Sequence, residues 1–266
     1  MKKMYKGAVF FDYDGTLTDE NEGIFTPTDK TCETLSLLRR NGYLTFLATG
    51  RMKPCTTLVS GKFSGLVTCN GAYVEVDGEC IKNTVIDSQL QAEAIRFMEE
   101  NNICYALETQ TGAYTNGLEN KHFISMLEHF NLAKSIYSPI PKDRKVSANK
   151  MSVTYESEAD MKKLADKFRG RLVVSPHRFF LSADLGAENV TKADGIVAVM
   201  NHFGIPKEHI YAVGDGSNDL EMIKTAGHGI AMGNHSPMLD GNAEFYTKSV
   251  KEEGITYALR EYYKLI

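Results

Sequence analysis

No stretch of the 266 residues is apolar for anything like the roughly 18 residues that a membrane-crossing helix needs. The opening carries Lys2 and Lys3, but its apolar run is too short for a signal peptide and charge follows at once, so a cytoplasmic protein is expected. Cysteine is present without a framework. The five (Cys32, Cys55, Cys69, Cys80, Cys104) are odd in number and form no CxxC pair, which argues against disulfides and a zinc site and makes reduced thiols the default. A dominant charge is lacking too. With 34 acidic and 30 basic residues the formal net charge is -4, and the basic residues are scattered, so neither a nucleic-acid surface nor a membrane surface is expected. There is no low-complexity tract and no internal repeat. At 42% hydrophobic the chain should be ordered throughout, as one large domain or two modest ones.

What is there is organised around "AVFFDYDGTLTDE", residues 8–20. Ala8 to Phe11 read as a strand covered on both faces, because a short continuous apolar run is what such a strand needs. It stops at Asp12-Tyr13-Asp14-Gly15-Thr16, which puts two carboxylates just past the strand's carboxyl end, the edge where open α/β sheets bind ligands. Thr26 before Pro27 reads as a helix start, with Leu35 and Leu38 on one face and Gly42 at the end. A second apolar strand, 43–48, runs into Thr49-Gly50-Arg51. A helix around 54–60 leads to a third strand with Asn70-Gly71 at its end, and a hairpin is expected to turn at Asp77-Gly78. Strand and helix alternate up to this point, which implies a parallel sheet.

The pattern changes near residue 84. An amphipathic helix, consecutive strands ("ICYALET", "GAYTN"), a helix at 120–131, a strand "KMSVTYE", a helix at 158–169 and two strands ("RLVVSP", "RFFLSAD") read as α+β. Alternation then resumes: a helix from "NVTKADG" ended by Gly204 and Pro206, a strand ending at Gly214-Asp215, a helix, the short strand "HGIAMGN", a turn of helix in "SPMLDGNA" and a final helix. The fold class expected is α/β with a mostly parallel, Rossmann-like sheet, residues 1–83 and 186–266, into which an α+β domain, residues 84–185, is inserted.

Four short pieces stand at or near the carboxyl ends of expected strands: Asp12-x-Asp14-Gly15-Thr16, Thr49-Gly50-Arg51, Lys192, and Gly214-Asp215-x-x-Asn218-Asp219. Their residue types suit phosphoryl transfer. A carboxylate can attack phosphorus and split hydrolysis into two steps. A phosphate monoester is dianionic and repels that carboxylate, so a cation must offset the charge. Mg²⁺ favours near-octahedral oxygen ligation from one or two carboxylates plus waters and phosphate, and Asp12 and Asp215 are placed to supply the carboxylates. A lysine such as Lys192 would neutralise charge on the transferring phosphoryl group, although a lone lysine also suits an ordinary surface. Thr49 offers a hydroxyl and Gly50 a backbone N–H to phosphate oxygens, while threonine in such a place also suits a helix N-cap.

In this order the four pieces resemble the motifs of the haloacid dehalogenase superfamily of phosphotransferases. The insert after the second motif, with "ATGR" and "CNGA", is similar to that of the Cof-type sugar-phosphate phosphatases, and the resemblance covers the whole chain. It implies a core at 1–83 and 186–266, a cap at 84–185 that closes over the site, and a Mg²⁺-dependent phosphatase of small phosphorylated metabolites, sugar phosphates above all. Asp12 would be the nucleophile forming an aspartyl-phosphate. Asp14 would be the general acid–base, with its backbone carbonyl as a metal ligand beside Asp12 and Asp215. Lys192, Thr49 and Gly50 would contact the phosphate, and Asn218 would orient Lys192, the phosphate or the metal shell. Asp219 is expected to support the site, or merely to favour a helix dipole as a first-turn acid. Arg51 would reach the substrate or pair with the insert, and Asn70-Gly71 would lie at the cap junction or simply make a turn.

Tyr105, Tyr114, His122, Lys150 and Arg178 are polar or aromatic candidates for substrate contact in the insert, and none is singled out. The seven histidines, His177 among them, show no ligand-like spacing. Competing readings are a phosphomutase or a nucleotide or flavin phosphatase on the same site, and a non-catalytic metabolite-binding protein. A mutase would favour extra basic residues in the cap, and no cluster of them is evident; a retired site typically loses its nucleophile. A monomer is the expected state.

Overall fold

The structure is a computed structural model that describes residues 5–177 and 180–266. In chain order its strands are β1 (Gly7–Phe11), β2 (Tyr43–Ala48), β3 (Gly65–Thr68), β4 (Tyr73–Val76), β5 (Glu79–Asn83), β6 (Cys104–Glu108), β7 (Ala113–Thr115), β8 (Tyr137–Pro139), β9 (Lys150–Thr154), β10 (Leu172–Pro176), β11 (Ser182–Ala187), β12 (Ile210–Gly214), β13 (His228–Ala231) and β14 (Phe245–Tyr246). The main helices are α1 (Asp29–Arg40), α2 (Ser88–Glu100), α3 (Lys121–His129), α4 (Glu158–Phe168), α5 (Lys192–Phe203) and α6 (Leu220–Thr225), and a last helical stretch is made of Gly254–Thr256 and Tyr257–Tyr262. The chain divides into two compact bodies. One takes in the chain up to Thr49, Thr56–Lys82 and Thr191–Ile266; the other takes in Gly50–Cys55 and Asn83–Val190.

The first body is built on an eight-stranded sheet in the order β14-β13-β12-β1-β2-β3-β4-β5. From β14 to β3 every pair is parallel, and β4 runs antiparallel to β3. This is the mostly parallel α/β sheet that the alternating pattern implies. Strand β1 is buried along its whole length because its side chains alternate between two cores. Ala8 and Phe10 pack with Phe46, Val67, Ile196, Val199 and Met222 on the face covered by α5 and α6. Val9 and Phe11 pack with Leu35, Leu38, Leu47 and Leu259 on the face covered by α1 and the last helical stretch. Going out from β1, the chain runs β1, β2, β3 on one side and β12, β13, β14 on the other. The strand order therefore reverses between β1 and β12, the kind of place where doubly wound sheets open a ligand crevice.

Two local readings differ from expectation. Helix α1 starts at Asp29, not after Thr26, because Thr28 is the residue whose hydroxyl accepts from the N–H of Thr31, at 3.1 Å. The segment around 54–60 forms only the short turns Lys53–Thr56 and Ser60–Lys62. Pro54, Gly61 and the branched residues Thr56, Thr57 and Val59 leave too few good helix formers to propagate a helix.

The second body is a six-stranded sheet, β10-β11-β9-β6-β7-β8, antiparallel except for the parallel pair β7–β8. Helices α2 and α4 pack on one face, where Ile95, Met98, Leu164 and Phe168 meet Leu107, Met151, Val153 and Leu185. The alternate residues Glu108, Lys150, Ser152 and Asp184 point the other way and are also buried. Lys150 Nζ lies 3.1 Å from a Glu108 carboxylate oxygen and is paired with Asp184 as well. His177 Nε2 stands 3.4 Å from the same Asp184 oxygen. Burial pushes the Glu108 carboxyl up, against the pull of Lys150. Burial acts in the same sense on Asp184, but Lys150 and His177 together hold that carboxyl below its ordinary range.

Of the candidates for substrate contact, Lys150 is thus committed to these carboxylates, and the Tyr105 hydroxyl donates to Glu99 at 3.0 Å. His122 Nε2 lies 3.3 Å from Glu156, and Tyr114 is half-buried against the core of this body. Arg178 lies outside the described residues.

Two stability predictions follow from this packing. Phe46 stacks on Phe10 with ring centroids 5.0 Å apart in a fully buried layer, so Phe46→Ala should destabilise the first body by about 3–5 kcal/mol in urea unfolding. Lys150→Ala would leave Glu108 and Asp184 buried without their cation, a loss of about 3–5 kcal/mol at about pH 7. Glu108, already pushed up by burial, would then lie further above its unfolded value, while Asp184 would keep only His177 beside it. The penalty on Glu108 is present while it is ionised and is relieved as pH falls toward the carboxylate range, so the melting deficit of Lys150→Ala should shrink from about pH 7 to about pH 5. A deficit that is the same at both would contradict this account.

Candidate active site

Asp12 is the first residue past β1 and Asp215 the first past β12, the two strands at the reversal. Pairing brings Phe11 level with Val213, and the Asp12 N–H extends the ladder by donating to the Val213 carbonyl at 2.9 Å. The two carboxylates therefore emerge side by side from neighbouring parallel strands, although 203 positions apart by number (215 − 12). The turn after Asp12 is fitted around Asp215. Thr16 Oγ1 donates to Asp215 Oδ1 at 3.0 Å. A Cβ placed on Gly15 would lie 2.2 Å from Asp215 Oδ2, so only glycine lets the backbone come this close.

Lys192 is the first residue of α5 and is completely buried. Its ammonium donates to Asp12 Oδ1 at 2.5 Å and to Asp219 Oδ1 at 2.7 Å. A cation at a helix N-terminus opposes the helix dipole, and Asp194 eases this at the same end by accepting the N–H and hydroxyl of Thr191 at 2.7 and 3.0 Å. Asp219, also fully buried, does two jobs. Its Oδ1 faces Lys192, and its Oδ2 accepts the backbone N–H groups of Asp215 and Gly216 at 2.9 and 2.8 Å. Asp219 thus reaches back to the start of its own turn and ties the Asp215 backbone to Lys192.

One oxygen from each of Asp12, Asp215 and Asp219 lies within 4.8 Å of the others. Burial first, and then the neighbouring negative charges, raise the proton affinities of Asp12 and Asp215. Burial, then the charge of Asp219, pushes the Asp12 carboxyl up to about 7, with Lys192 pulling the other way. Burial and the charges of Asp12 and Asp219 raise Asp215 well above the ordinary carboxylate value. Burial alone would lower Lys192, but Asp12 and Asp219 more than offset it and hold the ammonium firmly protonated.

The other expected residues fall as follows. Asp14 is half-buried in the turn two residues after Asp12, beside the Gly15 N–H that donates to the Thr18 carbonyl at 2.9 Å. Thr49 is buried at the end of β2, where its N–H donates to Val67 at 2.8 Å and no helix begins. Gly50 and Arg51 belong to the segment Gly50–Cys55, grouped with the second body. Asn218 is exposed, and its amide donates to Asn70 Oδ1 at 3.2 Å.

Sequence reasoning gave no role to Asn234 or Ser236. The Asn234 amide donates to the Gly15 carbonyl at 3.2 Å, and the Ser236 N–H donates to the Asp215 carbonyl at 2.7 Å. The available signal was the sheet edge itself: both follow β13, the strand next to β12.

The family model described as haloacid dehalogenase-like hydrolase matches residues 9–259. The phosphoglycolate phosphatase of Archaeoglobus fulgidus is 28% identical over 260 residues, covering 95% of both chains. The 5-amino-6-(5-phospho-D-ribitylamino)uracil phosphatase YitU of Bacillus subtilis is 24% identical over 269 residues, covering 97% of both. Among solved structures, the HAD subclass IIB sugar phosphatase BT4131 superposes with a TM-score of 0.82 at 26% identity, over 98% of this chain and 100% of that one. A strand-end acidic cluster facing a buried lysine, on this sheet and within this match, has one reading: the chain belongs to the haloacid dehalogenase-like hydrolases, as a phosphoric monoester hydrolase.

Proposed function

We propose that the protein hydrolyses small phosphorylated metabolites, sugar phosphates foremost, with Mg²⁺ and through an aspartyl-phosphate on Asp12. The observation that carries the reading is the meeting of Asp12, Asp215, Asp219 and Lys192 at the β1–β12 reversal. The cluster sets three carboxyl groups against one ammonium, and its donors are hard oxygens, a set that fits Mg²⁺. Asp12, Asp215 and the Asp14 carbonyl would hold the ion. When bound it would supply positive charge that lets an anion approach a dianionic ester. Asp219 is less suited to ligation because both of its oxygens already accept hydrogen bonds.

In the first step an Asp12 carboxylate oxygen bonds to phosphorus while the ester P–O bond breaks, and Asp14 gives its proton to the departing alkoxide. In the second, Asp14 takes a proton from the water that attacks phosphorus. The Asp12–phosphorus bond then breaks, releasing inorganic phosphate. Lys192, held by Asp12 and Asp219, neutralises charge on the transferring group, and Thr49, Gly50 and Asn218 contact or orient its oxygens. The inserted domain, residues 84–185, serves as the cap that excludes water and reads the leaving group. The substrate class draws on the relatives, which include enzymes named for phosphoglycolate, a phosphoribityl compound and sugar phosphates.

Phosphate release from an aryl phosphate tests this directly. Asp12→Asn should abolish turnover, and Asp14→Asn should lower kcat by about 10²–10⁴-fold while leaving the Mg²⁺ requirement near wild type. Near-normal turnover in either variant would refute the assignments. Chelation with EDTA should stop the reaction and added Mg²⁺ restore it. Asp215→Asn should raise the Mg²⁺ concentration for half-maximal rate by at least about tenfold, read from a metal titration of the initial rate.

A further inference from the structure

The turn after β3 holds three consecutive residues in the left-handed region: Cys69 (φ 51°), Asn70 (φ 53°) and Gly71 (φ 92°). Asparagine and glycine accept this conformation and cysteine does not favour it. Strain of this kind persists where the surroundings over-determine it, and it gathers at functional places. The surroundings here are three of the four motifs. The Asn70 N–H donates to the Thr49 carbonyl at 3.1 Å. Asn70 Oδ1 accepts the Asn218 amide at 3.2 Å. A Cβ on Gly71 would stand 1.9 Å from the Thr191 carbonyl oxygen and 3.2 Å from the Lys192 backbone nitrogen, so this glycine lies flat against the backbone that starts α5. From behind, Lys82 Nζ donates to the Gly71 carbonyl at 3.1 Å and fixes the peptide in place.

We propose that the Cys69–Asn70–Gly71 turn is a positioning element that sets Lys192 and Asn218 relative to Thr49. Asn70 acts through Asn218, and Gly71 acts through Lys192. The physical reason lies in where Lys192 sits. As the first residue of α5, its direction is set by the helix start, and whatever displaces Thr191 displaces the ammonium. A misplacement on the order of 1 Å can reduce catalysis about 10²-fold. The inference rests on the phosphatase reading and adds to it two residues that need not touch the phosphoryl group.

The test uses the full chain, an aryl phosphate and Mg²⁺. Asn70→Gly keeps the left-handed backbone and deletes only the amide. It should lower kcat/KM by about tenfold, the size expected for one lost hydrogen bond in a site, with the loss falling in kcat. In an Asn218→Ala background the same change should have almost no further effect, a coupling that a merely structural turn would not produce. Gly71→Ala should lower kcat more, by about 10²-fold; because it also strains the fold, its melting temperature is measured alongside, and Asn70→Gly is the deciding variant. Wild-type kcat/KM in Asn70→Gly, or independent and additive losses for Asn70→Gly and Asn218→Ala, would overturn the proposal. Inorganic phosphate binding, followed as a Mg²⁺-dependent thermal shift, reads the same coupling without turnover. A wild-type protein with no Asp12-dependent turnover rejects the phosphatase reading, whereas uncoupled phosphate binding in the two asparagine variants rejects the turn's role.

Discussion

The site depends on one buried ammonium. Without Lys192, three carboxylates would share a water-poor pocket with nothing to offset them, and like charges that close cannot all stay ionised. With it, Asp12 and Asp219 are tied to a common point. Burying such a group is expensive unless every partner is in place, which explains the density of hydrogen bonds around it. Asp194 eases the helix end that carries Lys192, Asp219 grips the backbone beside Asp215, and Thr16 anchors the Asp215 side chain.

The sheet makes this arrangement easy to reach. Parallel strands deliver their carboxyl ends to one edge, so residues far apart in the chain become neighbours without any unusual local geometry. β1 and β12 are adjacent, and one residue beyond each is an aspartate. β2, β3 and β13 supply the flanking positions, Thr49, Asn70 and Asn234. Each strand contributes a short loop rather than a whole element, so small features of those loops, such as the glycine at 15, matter more than the strands' own composition.

Much of this was legible beforehand, for identifiable reasons. Continuous apolar runs such as Ala8–Phe11 mark strands covered on both faces, and the motifs sit where those runs end. Asp77-Gly78 marked its turn, between β4 and β5. Other features were hidden because they depend on tertiary neighbours. That Asp219 would spend one oxygen on two backbone N–H groups and the other on Lys192 does not follow from its spacing to Asp215. Thr26 and Thr28 are both reasonable caps, and only the path of the chain chooses between them. The Glu108–Lys150–Asp184 cluster joins strands whose partners could not be read from the letters, and so Lys150 stood only as one polar residue among several. The left-handed run at 69–71 was visible only as Asn-Gly, which suits any tight turn.

The pairing of β1 with β12 also bears on how the molecule comes into being. Lys192 and Asp12 are 180 positions apart, and Asp215 lies further on still. Closing so large a loop is entropically unfavourable until many other contacts exist, and non-local strand pairing of this sort is slow. On the ribosome the segment with Asp12 emerges before β12, and its strand lacks one neighbour until about two hundred further residues have followed. No nascent fragment ending before Asp215 therefore holds the cation and all of the anions together.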